Sequence, residues 1–165
     1  MDWKEKNILV TGADGFIGSW IAKELLNKGA NVLTFIRDIK REPAYNLLGI
    51  GDRLTLIKGD ITDYLSVKRA LDEYSINTCF HLAAQAIVAI ANTSPLSTFE
   101  SNIKGSWNVL EACRNSKSVE SIVVASSDKA YGVQKNLPYT EDSPLLGSYP
   151  YDASKACTDI LARSY

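Results

Sequence analysis

Tyr151 and Lys155 are separated by three residues in the run Tyr-Asp-Ala-Ser-Lys. On a helix, positions i and i+4 share a face, so a phenol and an ammonium at this spacing can act together. A free tyrosine, with a pKa of about 10, is a poor base near neutrality. Positive charge one turn away favours the phenolate and makes proton abstraction from a hydroxyl accessible. Ser127 follows the apolar run Ile122-Val123-Val124-Ala125, and its hydroxyl is suited to hold the oxygen whose proton moves. Taken alone, Tyr-x-x-x-Lys also describes an ordinary surface pair. The other end of the chain gives it meaning.

There Asn7-Ile8-Leu9-Val10 leads directly into Thr11-Gly12-Ala13-Asp14-Gly15-Phe16-Ile17-Gly18, and an amphipathic stretch through Lys28 ends at Gly29. This order reads as strand, glycine turn, helix and C-cap. Glycines let backbone approach a pyrophosphate closely, and the free N–H groups of a helix start supply donors and a favourable dipole. The spacing is G-x-x-G-x-x-G rather than the common G-x-G-x-x-G. Gly12, Asp14, Gly15, Phe16, Ile17 and Gly18 are therefore the first candidate cofactor residues.

Positioning both ends requires alternating elements. The pattern predicts strands over 7–11, 31–36, 54–58, 78–81 and 121–126, with helices over 17–28, 64–74, 96–115 and 150–163. Such alternation specifies an α/β, doubly wound parallel sheet of Rossmann type with helices on both faces. The runs Val32-Leu33-Thr34-Phe35-Ile36 and Ile122-Val123-Val124-Ala125 lack alternation, as expected of strands covered on both sides. Helix 96–115 carries Leu96, Phe99, Ile103, Trp107, Val109 and Leu110, too many apolar positions for one face. The stretch 38–52 reads as a polar, proline-bearing loop. Segment 132–149, with Pro138, Pro144 and Gly147, is expected to lie over the site.

The chain has 165 residues, 45% of them hydrophobic, which suits one domain with a substantial core. A net charge of −1 without a basic run argues against a nucleic-acid partner. No apolar run is long enough to span a membrane, and the charged start Met1-Asp2-Trp3-Lys4-Glu5-Lys6 lacks a signal-peptide core. Cys79, Cys113 and Cys157 read as reduced, buried thiols of a cytoplasmic protein. No His, Cys and carboxylate cluster has ligand spacing, so no metal is expected. His81, the only histidine, ends a strand and reads as structural or cofactor-side.

Five ordered segments resemble the extended short-chain dehydrogenase/reductase family over essentially the whole chain. Thr11-Gly12-x-x-Gly15-Phe16-Ile17-Gly18 is similar to its cofactor turn. Gly59-Asp60-Ile61-Thr62-Asp63 is similar to its adenine-contacting segment, and His81-Leu82-Ala83-Ala84-Gln85 to the strand end beside pyrophosphate and ribose. Ser127, Tyr151 and Lys155 fall on its catalytic triad. The resemblance implies a nicotinamide cofactor contacted by these turns together with Arg37, Asp60, Ile61, Leu82, Ala83, Ala84, Gln85, Tyr151 and Lys155. It also implies a nucleotide-sugar substrate and a homodimer through helices 96–115 and 150–163. After the second strand, the position that holds the ribose-binding acid in NAD-type epimerases carries Ile36, with Arg37 and Asp38 next along the chain. Both NAD and NADP stay open. Family enzymes carry a sugar-binding C-terminal part, so the chain reads as residues 1–165 of a dinucleotide-binding domain that bears the catalytic residues.

The reaction clue is Ser126-Ser127-Asp128-Lys129-Ala130-Tyr131-Gly132. Epimerases of the family typically place small uncharged residues after the catalytic hydroxyl, whereas 4,6-dehydratases need an added acid and base to expel water. Asp128 and Lys129 provide two titratable groups, in a pairing that resembles the CDP-glucose 4,6-dehydratases; Trp20 and Gln85 lean the same way. The residues admit three readings: a nucleotide-sugar 4,6-dehydratase, a 4-epimerase, and a dinucleotide-binding module without turnover.

Overall fold

The structure is a computed structural model, and it describes residues 2–38, 42–135 and 137–165. Five parallel strands form one sheet: β1 (Asn7–Thr11), β2 (Asn31–Ile36), β3 (Thr55–Lys58), β4 (Thr78–His81) and β5 (Ser121–Val124), in the spatial order β3-β2-β1-β4-β5. The sheet reverses direction at β1, with β2 on one side and β4 on the other. Every connection therefore crosses a sheet face, and helices cover both. Helices α1 (Phe16–Asn27) and α2 (Ala44–Leu47) lie on one face, where Leu25, Leu26 and Tyr45 join Ile8, Val10 and Val32 in a single cluster. On the other, α3 (Tyr64–Glu73) supplies Val67 and Leu71 to a second cluster that includes Leu9, Leu33 and Phe35. Strand β1 thus feeds alternate residues to opposite faces, as a central strand must.

The expected elements are all present, with ends shifted by one or two residues. The stretch 38–52, read as loop, contains α2 and a 3-10 turn at Gly51–Arg53; residues 39–41 of it lie outside the described residues. Helix α4 (Val88–Thr93) was not legible in the pattern. Helix 96–115 is the largest departure. It runs as α5 (Pro95–Phe99), a π-turn over Glu100–Lys104, and α6 (Gly105–Arg114). A π-turn adds a residue to one turn and rotates the helix beyond it, so apolar positions on its two sides serve different faces. Val109 and Leu110 are buried, while Leu96 is 72% exposed. Helix α7 (Pro150–Ser164) closes the order.

Strand β2 is covered on both sides as expected, but β5 is not. It stands at the sheet edge, and Val123 is 51% exposed. Val123 is in register with Phe80, which packs into the α1-side cluster. Parallel partners share a face, so the uncovered side of β5 is the α1 side; α1 and α2 cover the other half of the sheet.

The β1–α1 turn depends on close backbone approach. A methyl added at Gly18 would run into the Gly12 carbonyl oxygen, and one at Gly12 (φ +76°) would lie 2.9 Å from the Ala83 nitrogen. Gly18→Ala is expected to destabilise the fold by about 1–3 kcal/mol through overpacking. Thermal denaturation reads this directly, and an unchanged Tm would contradict the packing described.

Candidate functional site

A cleft of about 800 Å³ opens along the C-terminal ends of the strands, where ligands bind in open α/β sheets. Gly12, Asp14, Gly15, Phe16, Ile17 and Gly18 form its floor from the β1–α1 turn. Arg37, Asp60 and Ile61 line one end, and Leu82, Ala83, Ala84 and Gln85 the other side. Tyr151 and Lys155 reach it from α7. Residues 151 and 12 are thus brought to one cavity from opposite ends of the chain. Sequence reasoning missed Ser97 and Ser101, which approach from α5 and the π-turn.

The floor fits a phosphate. Gly15 is the N-cap of α1 and offers no side-chain hydrogen bond, and the first helical bond into this turn is Ser19 N to Gly15 O, 3.1 Å. Among the described residues no side chain caps the N–H groups of Phe16, Ile17 and Gly18. Three convergent donors at the positive end of a twelve-residue helix form an anion cradle.

Lys155 is 6% exposed, and its ammonium donates to the Ala125 carbonyl at 2.8 Å. Burial lowers its pKa from the ordinary lysine value. The residue just after β5 therefore fixes the lysine of α7. Ser127 lies just beyond, where its Oγ accepts from Lys129 N (3.2 Å) and donates to Asp128 Oδ1 (3.1 Å). Asp128 and Lys129 are exposed on the 3-10 turn Asp128–Tyr131. Ser127, Asp128 and Lys129 stand beside the cleft rather than in its wall; Ala125 and Ser126 of the same segment line it. The expectation that 132–149 lies over the site is not met in the lining, to which its described residues contribute nothing. That segment instead folds on itself: Tyr139 donates to the Gly132 carbonyl (2.8 Å), and the Tyr131 and Tyr139 rings stack with centroids 5.2 Å apart.

Behind the wall runs a buried polar chain. Thr11 Oγ1 accepts from the N–H groups of Leu82 and Ala83, both at 3.1 Å, which leaves its own proton for His81 Nδ1 at 2.8 Å. Nδ1 then accepts, and Nε2 carries the proton toward Ser106 Oγ at 3.1 Å. Ser106 donates onward to the Asn102 carbonyl at 2.5 Å, and the Thr158 hydroxyl of α7 shares its proton between that oxygen at 3.0 Å and the Ser154 carbonyl at 2.9 Å. The Asn102 side chain accepts from Gln85 N (2.7 Å) and donates to the Gln85 carbonyl (3.1 Å) and Ser154 Oγ (2.9 Å). His81 is thus a neutral structural group, as the sequence suggested. Asn102, in the π-turn, carried no signal in the sequence: it follows Ser101 in a polar stretch, and only the fold brings it to the Gln85 backbone.

The scan against family models matches residues 9–165 to GDP-mannose 4,6 dehydratase. The chain belongs to that family. Among individual relatives, it is 30% identical over 165 residues to the CDP-glucose 4,6-dehydratase of Salmonella typhimurium, covering 99% of this chain and 46% of the relative. The Streptomyces venezuelae dTDP-glucose 4,6-dehydratase DesIV, solved with NAD bound, superposes with a TM-score of 0.86 at 31% identity, over 96% of this chain and 51% of that one. The Thermus thermophilus UDP-glucose 4-epimerase, solved with NAD, gives 0.83 at 35% identity over 96% and 50%. The chain spans about half the length of the curated relatives it matches. No helix of the described residues is long and apolar enough to cross a membrane.

Two outcomes are expected from the buried chain. Burial, reinforced by the charge of Lys155, lowers the His81 pKa from 6.5 to about 3. Between those values the unfolded chain binds more protons, so stability falls on acidification from pH 6.5, with a slope approaching about 1.4 kcal/mol per pH unit. His81→Gln removes the titration, and its acid limb in denaturant titrations at stepped pH is expected to be shallower; parallel limbs would refute the buried neutral imidazole. Asn102→Leu orphans the Gln85 amide and is expected to cost about 2–4 kcal/mol. A loss below about 1 kcal/mol would mean those bonds are dispensable.

Proposed function

We propose that this chain is the dinucleotide-binding, catalytic part of a nucleotide-sugar 4,6-dehydratase that forms a 4-keto-6-deoxy sugar nucleotide. Family membership and the cleft support the nucleotide-sugar class. The observation that carries the dehydratase reading is the Asp128 carboxylate bonded to the Ser127 hydroxyl beside the cleft, because elimination of water needs an acid that epimerisation does not.

The α1 N-terminus, Arg37, Asp60, Ile61 and the Leu82–Gln85 turn would hold NAD or NADP. When bound, it would supply a hydride acceptor for C4 that gives the hydride back at C6, so that only water is lost overall. The residues of the chain handle protons and position. Tyr151 takes the proton of the sugar 4-hydroxyl, and Ser127 hydrogen-bonds the same oxygen. Lys155 provides the positive charge that favours a tyrosinate and hydrogen-bonds the nicotinamide ribose. Once C4 is a ketone, C5–H is acidic, and Asp128 protonates the departing 6-hydroxyl so that water leaves. The C5 proton passes to a water or neighbouring group that Lys129 orients, and C5 regains a proton from it as the hydride reaches C6.

The epimerase reading is kept because the Thermus structure shares the fold at 35% identity. We further propose that turnover requires a sugar-binding part beyond the cofactor half, in keeping with the half-length match and with the uncovered apolar face of β5. A homodimer through α5–α6 and α7 fits the exposed Leu96, Trp107 and Ile160. The free cysteines suit a reducing cytoplasm.

The test incubates the chain, alone and in the longest form its gene encodes, with each cofactor and a panel of nucleotide sugars. Products are read by mass and by the alkaline absorbance of 4-ketones. Loss of one water is expected; an isomer of unchanged mass would establish the epimerase instead. Asp128→Asn is expected to slow elimination by at least about a hundredfold. Elimination at the unaltered rate would remove Asp128 from the role.

A further inference from the structure

Both halves of the Ser127 hydroxyl are already employed by its own chain. Ser127 has an extended backbone (φ −157°, ψ 151°) and is the N-cap of the 3-10 turn Asp128–Tyr131. Its carbonyl accepts from Ala130 N at 3.1 Å, and its Oγ accepts from Lys129 N at 3.2 Å. A hydroxyl that takes an orphan N–H in this way fixes the start of a helical turn. The far end is secured separately, since Ala130 is buried and its carbonyl accepts from Gly147 N at 3.1 Å. Asp128 and Lys129 lie exposed between the two anchors.

The proton of the same hydroxyl goes to Asp128 Oδ1 at 3.1 Å. Among the described residues this is the one bond that holds the carboxylate. An exposed side chain without such a bond moves among staggered rotamers, and an acid delivers its proton only within hydrogen-bond reach of the oxygen that leaves. With Oδ1 taken by Ser127, Oδ2 is the oxygen left to carry the acid's proton. The cap thus sets the backbone of Asp128 while the hydroxyl proton sets its carboxyl group.

Resting on the dehydratase reading, we infer that Ser127 is a positioning residue for Asp128, so that it serves the elimination of water as well as the oxidation at C4. In the elimination the C5–H and C6–O bonds break, a C5–C6 double bond forms, and Asp128 gives its proton to the departing oxygen. Ser127 keeps its own proton throughout. Its oxygen stays on the Lys129 N–H, and rotation about the Cβ–Oγ bond carries the proton between the sugar oxygen and the carboxyl group. Placing the acid before it is needed is the familiar gain from orientation.

One measurement without turnover and one with it test this role. Amide hydrogen exchange at Lys129 is expected to quicken about tenfold in Ser127→Ala and to stay close to unaltered in Ser127→Thr, which keeps the hydroxyl. For elimination, the longest form the gene encodes is given reduced cofactor and a nucleotide 4-keto hexose, which bypasses oxidation, and loss of water is followed by mass. Ser127→Ala is expected to slow that loss at least about tenfold, and Ser127→Thr to recover most of it. In an Asp128→Asn background, Ser127→Ala is expected to add less than about twofold, because the group it positions is already gone. A full additional loss in that background, or Lys129 exchange unchanged in Ser127→Ala, overturns the positioning role while leaving the dehydratase standing. If the unaltered protein eliminates no water from any 4-keto hexose, the dehydratase reading falls and this role with it.

Discussion

One buried imidazole holds the two halves of the site in register. His81 takes its proton pattern from Thr11: two backbone N–H groups occupy the threonine oxygen, so its hydroxyl must point at Nδ1. That choice forces the proton onto Nε2 and sends the polarity on through Ser106 to the carbonyl of Asn102. The chain works in one direction and with a neutral ring only. A second proton on His81 would set donor against donor at Nδ1 in a fully buried place, with the Lys155 charge nearby to oppose it. Burial and hydrogen bonding thus agree on one tautomer, and the end of β1 is tied through it to the π-turn that abuts α7.

The π-turn carries the tie. Its Asn102 carbonyl accepts the Ser106 hydroxyl of the next turn and has the Thr158 hydroxyl of α7 at 3.0 Å. The Asn102 side chain meanwhile closes a two-way bond with the Gln85 backbone and reaches Ser154, one residue from Lys155. A helix that merely filled a groove between sheet and α7 would have no use for such a turn. Local irregularity of this sort is a recurrent feature of functional sites, and its effect here is concrete: the turn after β4 and the helix bearing Tyr151 are set by the same amide.

Much of this was legible in the residues. The parallel sheet follows from alternation, and the glycine turn follows from Gly12, Gly15 and Gly18, whose spacing matters because two of them leave no room for a methyl. Tyr151 and Lys155 were legible from helical periodicity. What escaped depends on contacts far apart in sequence. Asn102 and Thr158 are ordinary polar residues until the fold brings the Thr158 hydroxyl within 3.0 Å of the Asn102 carbonyl. The apolar positions of 96–115 could not be assigned to faces because periodicity presumes a constant turn, and a single π-turn breaks it. Strand β5 misled in the other direction. Its composition is that of a strand covered on both sides, yet at the edge of this sheet Val123 is half exposed; composition records what a strand is suited to, not which neighbours it has.

The cofactor end and the reacting end are coupled through backbone rather than through side chains. They lie on opposite sides of β1, and no side chain spans the distance between Asp38 and Lys155. What they share is the backbone of the turn at Gly12, where the Leu82–Ala83 backbone leaves no room for a side chain, while Ala83 and Leu82 hydrogen-bond Thr11. The pyrophosphate floor and the turn after β4 are therefore one rigid unit, and the buried chain continues that unit to α7. Lys155 shows the principle at one residue: its buried ammonium is held by the Ala125 carbonyl at 2.8 Å, so the position of its charge is set by the fold itself.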